Sequence, residues 1–309
     1  MNKNSKIYIA GHKGLVGSAI TRLLQKEGYK NLILKTRQEL DLLNQQAVSD
    51  FFKKEKPEYV FLAAAKVGGI MANKTFPADF IYENLVIQAN IMHNAYLNKV
   101  KKLLFIGSSC IYPKLTPQPI KEEYLLSGAL ETSNKPYAVA KIAGIITCQS
   151  YNRQYGTNFI SVMPTNLYGP NDNFDLQNSH VLPALIRKFH EAKASGQKEI
   201  ILWGSGSPKR EFLYVDDLAE ACLFLMKNYN SSEIINIGTG EDLPIKDLAE
   251  KIKEIAGYDG KIVWDKSKLD GTPRKLLDVG RIHKLGWKHK INLETGLKTT
   301  YDWHKNNYE

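Results

Sequence analysis

Short apolar runs alternate with longer amphipathic stretches through the first half of the chain. The runs Ile7-Tyr-Ile-Ala10, Leu32-Ile-Leu34, Tyr59-Val-Phe-Leu-Ala63, Leu103-Leu-Phe-Ile106 and Phe159-Ile-Ser-Val-Met163 are too short for helices. Their continuous hydrophobicity predicts strands covered on both faces, as in a parallel sheet. Between them, apolar positions at helical spacing predict helices near 15–27, 44–54, 78–98 and 137–155. Strict βαβ alternation of this kind implies an α/β fold with a doubly wound parallel sheet and right-handed crossovers. After Tyr168-Gly-Pro170 the pattern changes to loops, a helix near 181–195 and the punctuation Gly204-Ser-Gly-Ser-Pro208. Ile234-Ile-Asn-Ile237 reads as a further strand of the first sheet. The expected organisation is a large domain from 1–166 plus about 212–240. A smaller mixed α/β lobe takes about 167–211 plus 241–309, with a crevice between the two.

Composition narrows the class without changing this picture. At 309 residues, with 43% hydrophobic and 24% charged, the chain is an ordinary globular protein able to bury a sizeable core. No apolar run approaches the roughly 18 residues of a membrane span, and Met1–Lys6 carries no signal-peptide pattern. The three cysteines Cys110, Cys148 and Cys222 are widely spaced and odd in number. They fit reduced thiols and a cytoplasmic location, with no disulfide framework and no metal site. The net charge of +10 permits nucleic-acid binding, but no basic tract interleaved with aromatics accompanies it. A solvated surface, together with an anionic small substrate such as a nucleotide diphosphate, accounts for the excess.

Gly11-His-Lys-Gly14-Leu-Val-Gly17 follows the first predicted strand and opens the first helix. Gly11 allows the tight turn, Gly14 admits a pyrophosphate to the backbone, and Gly17 permits close helix–sheet packing. The helix N-terminus then attracts the phosphates. This is the fingerprint of a Rossmann-type dinucleotide site. The second strand ends near Lys35-Thr-Arg37, where a base suits a 2′-phosphate better than a ribose hydroxyl. Arg37, with Lys13 in the glycine loop, therefore points to NADP over NAD, and Asp41 lies near the adenine end.

Tyr137-Ala-Val-Ala-Lys141 places a phenol and an ammonium on one helix face. The ammonium is expected to favour the phenolate and poise the phenol for proton transfer near neutral pH. Ser108, just past the Leu103–Ile106 strand, can hold a substrate carbonyl in line. The trio suits hydride transfer to a ketone.

The glycine loop, strand-end serine and Tyr-x-x-x-Lys, in this order, resemble the extended short-chain dehydrogenase/reductase family. The likeness narrows through Ala63-Ala-Ala-Lys-Val-Gly-Gly-Ile70, Gly107-Ser-Ser-Cys-Ile-Tyr-Pro113, Pro164-Thr-Asn-Leu-Tyr-Gly-Pro170, Trp203-Gly-Ser-Gly206, Arg210-Glu-Phe-Leu213 and Asp270-Gly-Thr-Pro-Arg-Lys-Leu-Leu-Asp278. These blocks are similar to the family members that convert GDP-4-keto-6-deoxy-D-mannose to GDP-L-fucose. The resemblance implies epimerisation at C3 and C5, followed by NADPH-dependent reduction at C4, in one site. It makes Ser108, Tyr137 and Lys141 the reducing trio, and Cys110 and His180 the epimerisation acid and base, in an order left open. It extends the cofactor contacts to His12, Leu15, Val16, Leu42, Ile106, Gly107, Ser109, Lys141, Pro164, Asn166, Leu167 and His180. For the GDP-sugar it points to Asn166, Lys188, Trp203, Arg210, Asp270 and Lys275. Lys13 stands where many members carry arginine; the charge is kept but the planar fork is lost.

Two rivals share the superfamily. A 4,6-dehydratase would place an acidic pair just after the strand-end hydroxyl, where this chain has Ser109-Cys-Ile-Tyr112. A sugar 4-epimerase would need neither the basic end of strand two nor the Cys110/His180 pair. A non-catalytic dinucleotide sensor, a different class, would be expected to lack the tyrosine or the lysine. The helices near 78–98 and 137–155 carry apolar positions (Phe80, Leu85, Ile87 and Ile91; Ile142, Ile145 and Ile146) that form either the core face or a homodimer interface paired as a four-helix bundle; the family resemblance implies the homodimer.

Overall fold

The computed structural model describes residues 1–308 apart from Gln177 and Leu269. The first half follows the predicted alternation. β1 (Ile7–Ala10), α1 (Leu15–Lys26), β2 (Leu32–Ile33), α2 (Gln45–Glu55) and β3 (Tyr59–Leu62) open it. Then come α3 (Ile70–Thr75), α4 (Pro77–Leu97), β4 (Lys102–Ile106), α5 (Lys135–Tyr155) and β5 (Phe159–Pro164). The second half contains β6 (Asn166–Tyr168), α6 (Val181–Ala194), β7 (Glu199–Trp203), β8 (Lys209–Tyr214), α7 (Val215–Asn228) and β9 (Ile235–Ile237). β10 (Asp242–Pro244), α8 (Ile245–Ala256), β11 (Lys261–Asp265), β12 (Arg274–Lys275), α9 (Gly280–Lys284) and α10 (Leu293–Tyr308) complete it.

The main sheet is parallel in the order β2-β1-β3-β4-β5-β9. β9 joins it through Val162↔Ile235, as the Ile234–Ile237 run predicts. α1 packs against α7, while α4 packs against both α2 and α5. Helical layers on both faces explain why β1, β4 and β5 are buried at every position. The chain passes from β2 back across β1 to β3, so the switch point lies beside the C-terminal ends of β1 and β3.

Beyond this sheet, β8 pairs in parallel with β6 and β12 and antiparallel with β10. β7 and β11 form a separate parallel ribbon. The buried apolar residues fall into two clusters. One surrounds the main sheet and takes in Leu277, Val279, Ile282 and Trp287. The other gathers Tyr168, Leu185, Phe189, Phe212, Leu248, Ile252 and Leu297.

One expectation needs correction. β2 holds only Leu32 and Ile33, so Lys35–Arg37 lies on a turn beyond the sheet. Of the apolar positions open to either reading, Phe80, Ile91, Ile142 and Ile145 are buried within the protomer. The 3.6-residue period marks an apolar face without saying what covers it, and here α4 and α5 bury that face against each other and the sheet. Their exposed apolar residues are Tyr82, Leu97, Val139, Ile146 and Tyr155.

α4 also buries an amide series that the hydrophobic pattern does not reveal. Asn84 Oδ1 accepts from the Lys66 amide and its Nδ2 donates to the Lys66 carbonyl, both at 3.0 Å. Gln88 donates to the Ala140 carbonyl at 2.7 Å and Asn90 to the Leu42 carbonyl at 2.9 Å. One helix thus fixes the loop after β3, α5 and the loop after β2.

Candidate active site

The glycine loop closes tightly on itself. Gly11 has φ +85°, and a Cβ there would lie 2.8 Å from the Ala64 amide. A Cβ on Gly17 would come within 2.1 Å of the Gly11 carbonyl oxygen. Gly17 is therefore required by the turn itself more than by helix–sheet packing. Gly14 is exposed and has room for a Cβ. It stands at the N-cap of α1 with no side chain satisfying the first amides, the geometry that accepts a phosphate. Lys13 is exposed, and Leu15 and Val16 line the first turn half-buried. His12 Nδ1 is buried without a hydrogen-bond partner.

Arg37 is 73% exposed and 4.0 Å from Glu83. Asp41 accepts from the Leu43 amide at 3.0 Å, which holds the turn before Leu42. An uncapped helix N-terminus, flanked by exposed Lys13 and Arg37, fits a dinucleotide bearing an additional phosphate.

Ser108 follows β4 and Gly107 in extended conformation (φ −165°). Its Oγ accepts from the Cys110 amide at 3.1 Å, capping the short 3-10 turn Ser109–Ile111 that carries Cys110. A Cβ on Gly107 would strike the Met163 sulfur at 2.4 Å, so glycine lets β4 and β5 run side by side to this point. α5 begins with a proline in its first turn and presents Tyr137 and Lys141 to the same place. The Tyr137 ring meets Phe80 edge-on at 6.3 Å.

Lys141 Nζ donates to the Ile106 carbonyl at 2.7 Å and lies 5.8 Å from the Tyr137 ring centre. Burial pulls its ammonium down to about 7. Burial pushes the Tyr137 phenol well above its ordinary value, opposed by a hydrogen bond with Ser108. Lys141 is expected to poise the phenol near neutrality, whereas burial holds the phenol above its ordinary value. The Lys141 Nζ is turned to a backbone carbonyl.

Cys110 is half-buried, and its Sγ lies 3.6 Å from Lys275 Nζ. Cys148 and Cys222 are buried, and burial pushes both thiols up, Cys148 to about 12. His180 stands at the N-cap of α6. It is exposed, yet desolvation by crowding protein atoms and then the Lys275 charge hold its imidazole below the usual value. The loop before it is tied to α3 by the Gly69 amide, which donates to the Asn178 carbonyl at 2.8 Å. A narrow cavity beside Cys110 is lined by Ser109, Gln118, Glu131, Arg274 and Lys275. Ser108 and the Cys110 thiol therefore share one turn, α5 brings Tyr137 and Lys141 to it, and Lys275 links that thiol to the surroundings of His180.

Of the remaining predicted residues, Lys275 lies against the Cys110 thiol and Arg210 near Cys110 and Asp270. Arg210 is half-buried; burial lowers its pKa, while Cys110 and Asp270 raise it. Lys275 pairs with Arg210 in parallel register. Asn166 donates to the Glu211 carbonyl at 2.8 Å, so part of its amide serves the scaffold. Pro164 ends β5 and Leu167 packs on the first apolar cluster. Trp203 is 58% exposed and therefore available as a platform. Lys188 and Lys268 approach its ring at 5.5 and 5.8 Å. Asp270 accepts from the Ser205 amide at 2.9 Å and its hydroxyl at 2.6 Å.

Ser205, Lys268, Gln118 and Glu211 went unnoticed in the sequence. Ser205 and Glu211 lie inside quoted motif blocks, but nothing in a serine or a glutamate there announces these bonds.

Comparison with known proteins agrees with this geometry. A family model described as NAD dependent epimerase/dehydratase family matches residues 7–238. GDP-L-fucose synthase 1 of Arabidopsis thaliana is 60% identical, over 99% of this chain and 95% of its own. A Naegleria fowleri GDP-L-fucose synthetase, solved bound to NADP, superposes with a TM-score of 0.93. It is 32% identical and covers 100% of this chain and 96% of its own. MlghC of Campylobacter jejuni, a GDP-mannoheptose C4 reductase solved with NADP bound, has a TM-score of 0.92. Its identity is 51%, with 99% of each chain covered. The chain belongs to the NAD dependent epimerase/dehydratase family and, within it, to the GDP-L-fucose synthases.

Proposed function

We propose that the chain converts GDP-4-keto-6-deoxy-D-mannose to GDP-L-fucose, epimerising C3 and C5 and then reducing C4 with NADPH. The observation that carries this reading is the single turn Ser108–Cys110. It places a thiol two residues from the serine that bonds Tyr137. Close kinship to GDP-L-fucose synthases supports the same conclusion.

The C4 ketone acidifies the hydrogens on C3 and C5. Cys110 and His180 remove and return a proton at each carbon. Ser108 and Tyr137 hydroxyls donate to O4 while the enolate bears the charge. NADPH supplies the hydride for C4. Tyr137 gives its proton to O4, and Lys141 sits behind it to restore the balance. Gly11, Gly14 and the α1 N-terminus hold the pyrophosphate, with Lys13 and Arg37 toward the 2′-phosphate. Lys188, Arg210 and Lys275 meet the GDP diphosphate, and Trp203 offers a face to the base.

Incubation with NADPH and the 4-keto GDP-sugar should consume NADPH absorbance and yield GDP-L-fucose. No consumption by folded protein overturns the reading. A second reading, C4 reduction of a GDP-heptose, is favoured by the kinship to the Campylobacter reductase. A higher kcat/KM on a 4-keto GDP-heptose would select it. We further propose two units divided as the sequence suggests, a cytoplasmic location, and a homodimer through the exposed faces of α4 and α5.

A further inference from the structure

We propose that Glu211 is a positioning residue that sets Arg210 and Lys275 against the substrate; this rests on the nucleotide-sugar reading above. Glu211 has no exposed surface. Its carboxylate is held by backbone amides from two separate loops. Oε1 accepts from the Thr239 amide at 2.7 Å and the Gly240 amide at 2.8 Å. Oε2 accepts from the Leu277 amide at 2.9 Å. Three charge-assisted bonds of this kind satisfy a buried carboxylate without a cation.

The loops so joined belong to different parts of the fold. Thr239 and Gly240 follow β9, the last strand of the main sheet, whereas Leu277 follows β12. The backbone around Glu211 adds a third tie, because its carbonyl accepts from Thr165 Oγ1 at 3.2 Å and Asn166 Nδ2 at 2.8 Å. Side chains alternate along a strand, so burying Glu211 turns Arg210 the other way. Lys275 lies opposite Arg210 in the β12–β8 register and two residues before the clamped Leu277 amide. Its Nζ then reaches Cys110. One buried carboxylate on β8 thus ties together the two strands that carry the cations, Arg210 on β8 and Lys275 on β12.

A carboxylate is required here because three N–H groups point at its two oxygens. Glutamine offers one acceptor oxygen, and its NH2 group would face an amide donor. Glu211→Gln should release the β12 end. Gly238→Ala tests the same point with Glu211 in place, since its Cβ would lie 2.1 Å from Glu211 Oε1 and displace the carboxylate.

The experiment measures GDP and NADPH affinity, melting temperature and amide exchange of residues 275–279 in wild type and both variants. GDP should bind about tenfold more weakly or worse in each variant, NADPH within about twofold of wild type, and the Leu277 amide should exchange faster. Unchanged GDP affinity in either variant overturns the proposal. So does parallel loss of GDP and NADPH binding with a collapsed melting temperature, the mark of a merely structural group. Failure of wild type to bind GDP defeats the nucleotide-sugar reading instead. Leu277 exchange then decides alone, and unchanged exchange rejects the clamp.

Discussion

Lys141 is a buried amine whose ammonium is pulled from 10.5 down to about 7. Between those values the unfolded chain holds the proton and the folded chain does not, so this group makes stability rise with pH. The burial penalty is fully present below about 7 and fades as pH climbs toward 10.5. Lys141→Met removes it, so the variant's melting temperature relative to wild type should be higher at pH 6 than at pH 9, by about 3 °C or more. Scanning calorimetry at both pH values checks this; an equal offset would mean the amine is not desolvated. The same substitution should abolish most ketone reduction. At the neighbouring groups the two chemistries separate. Tyr137→Phe should cut NADPH oxidation by about 10²-fold or more while leaving some deuterium uptake at C3 or C5. Cys110→Ser should suppress that uptake with NADPH affinity nearly unchanged. Undiminished reduction in the first, or undiminished exchange in the second, removes the residue from its role.

Among the elements, the glycine loop and α5 were legible because their chemistry is local. Gly11, Gly14 and Gly17 sit at fixed offsets between a strand and a helix, and Tyr137 and Lys141 need only one helical turn. Gly17→Ala should drive its Cβ into the Gly11 carbonyl, weakening NADPH binding more than tenfold, roughly 1.4 kcal/mol, with GDP binding retained. Fluorescence titration of NADPH measures this. What escaped the sequence was non-local. The amides of α4 read as polar interruptions, although Asn84 and Asn90 brace loops 18 and 48 residues away. Lys275 meets Cys110 across 165 residues, a pairing that family likeness could place in the site but no spacing could predict. β2 was overextended because Leu34 is as apolar as its neighbours and only sheet pairing ends the strand.

For the whole molecule, the apolar periodicity of α4 and α5 marks a face that serves mainly the protomer's own core. Phe80, Ile91, Ile142 and Ile145 serve the protomer's own core. Tyr82 and Leu97 on α4, with Val139 and Ile146 on α5, remain exposed, and they are the surface through which the proposed dimer would form. Light scattering should give twice the protomer mass. Leu97→Asp with Ile146→Asp should halve it with little change in secondary structure. A wild-type mass of one protomer rejects the bundle.

The three cysteines are unequally placed. Cys148 and Cys222 are sealed in the core, whereas Cys110 keeps an open side next to Lys275. Peroxide or disulfide reagents therefore meet one thiol first. Sulfenylation there would silence epimerisation while Ser108, Tyr137 and Lys141 stay chemically intact. Under the proposed reaction, an oxidised molecule is not simply inactive. With its reducing trio intact, it would deliver hydride to a sugar whose C3 and C5 were never inverted. Oxidative stress would then change the stereochemistry of the product as well as its amount.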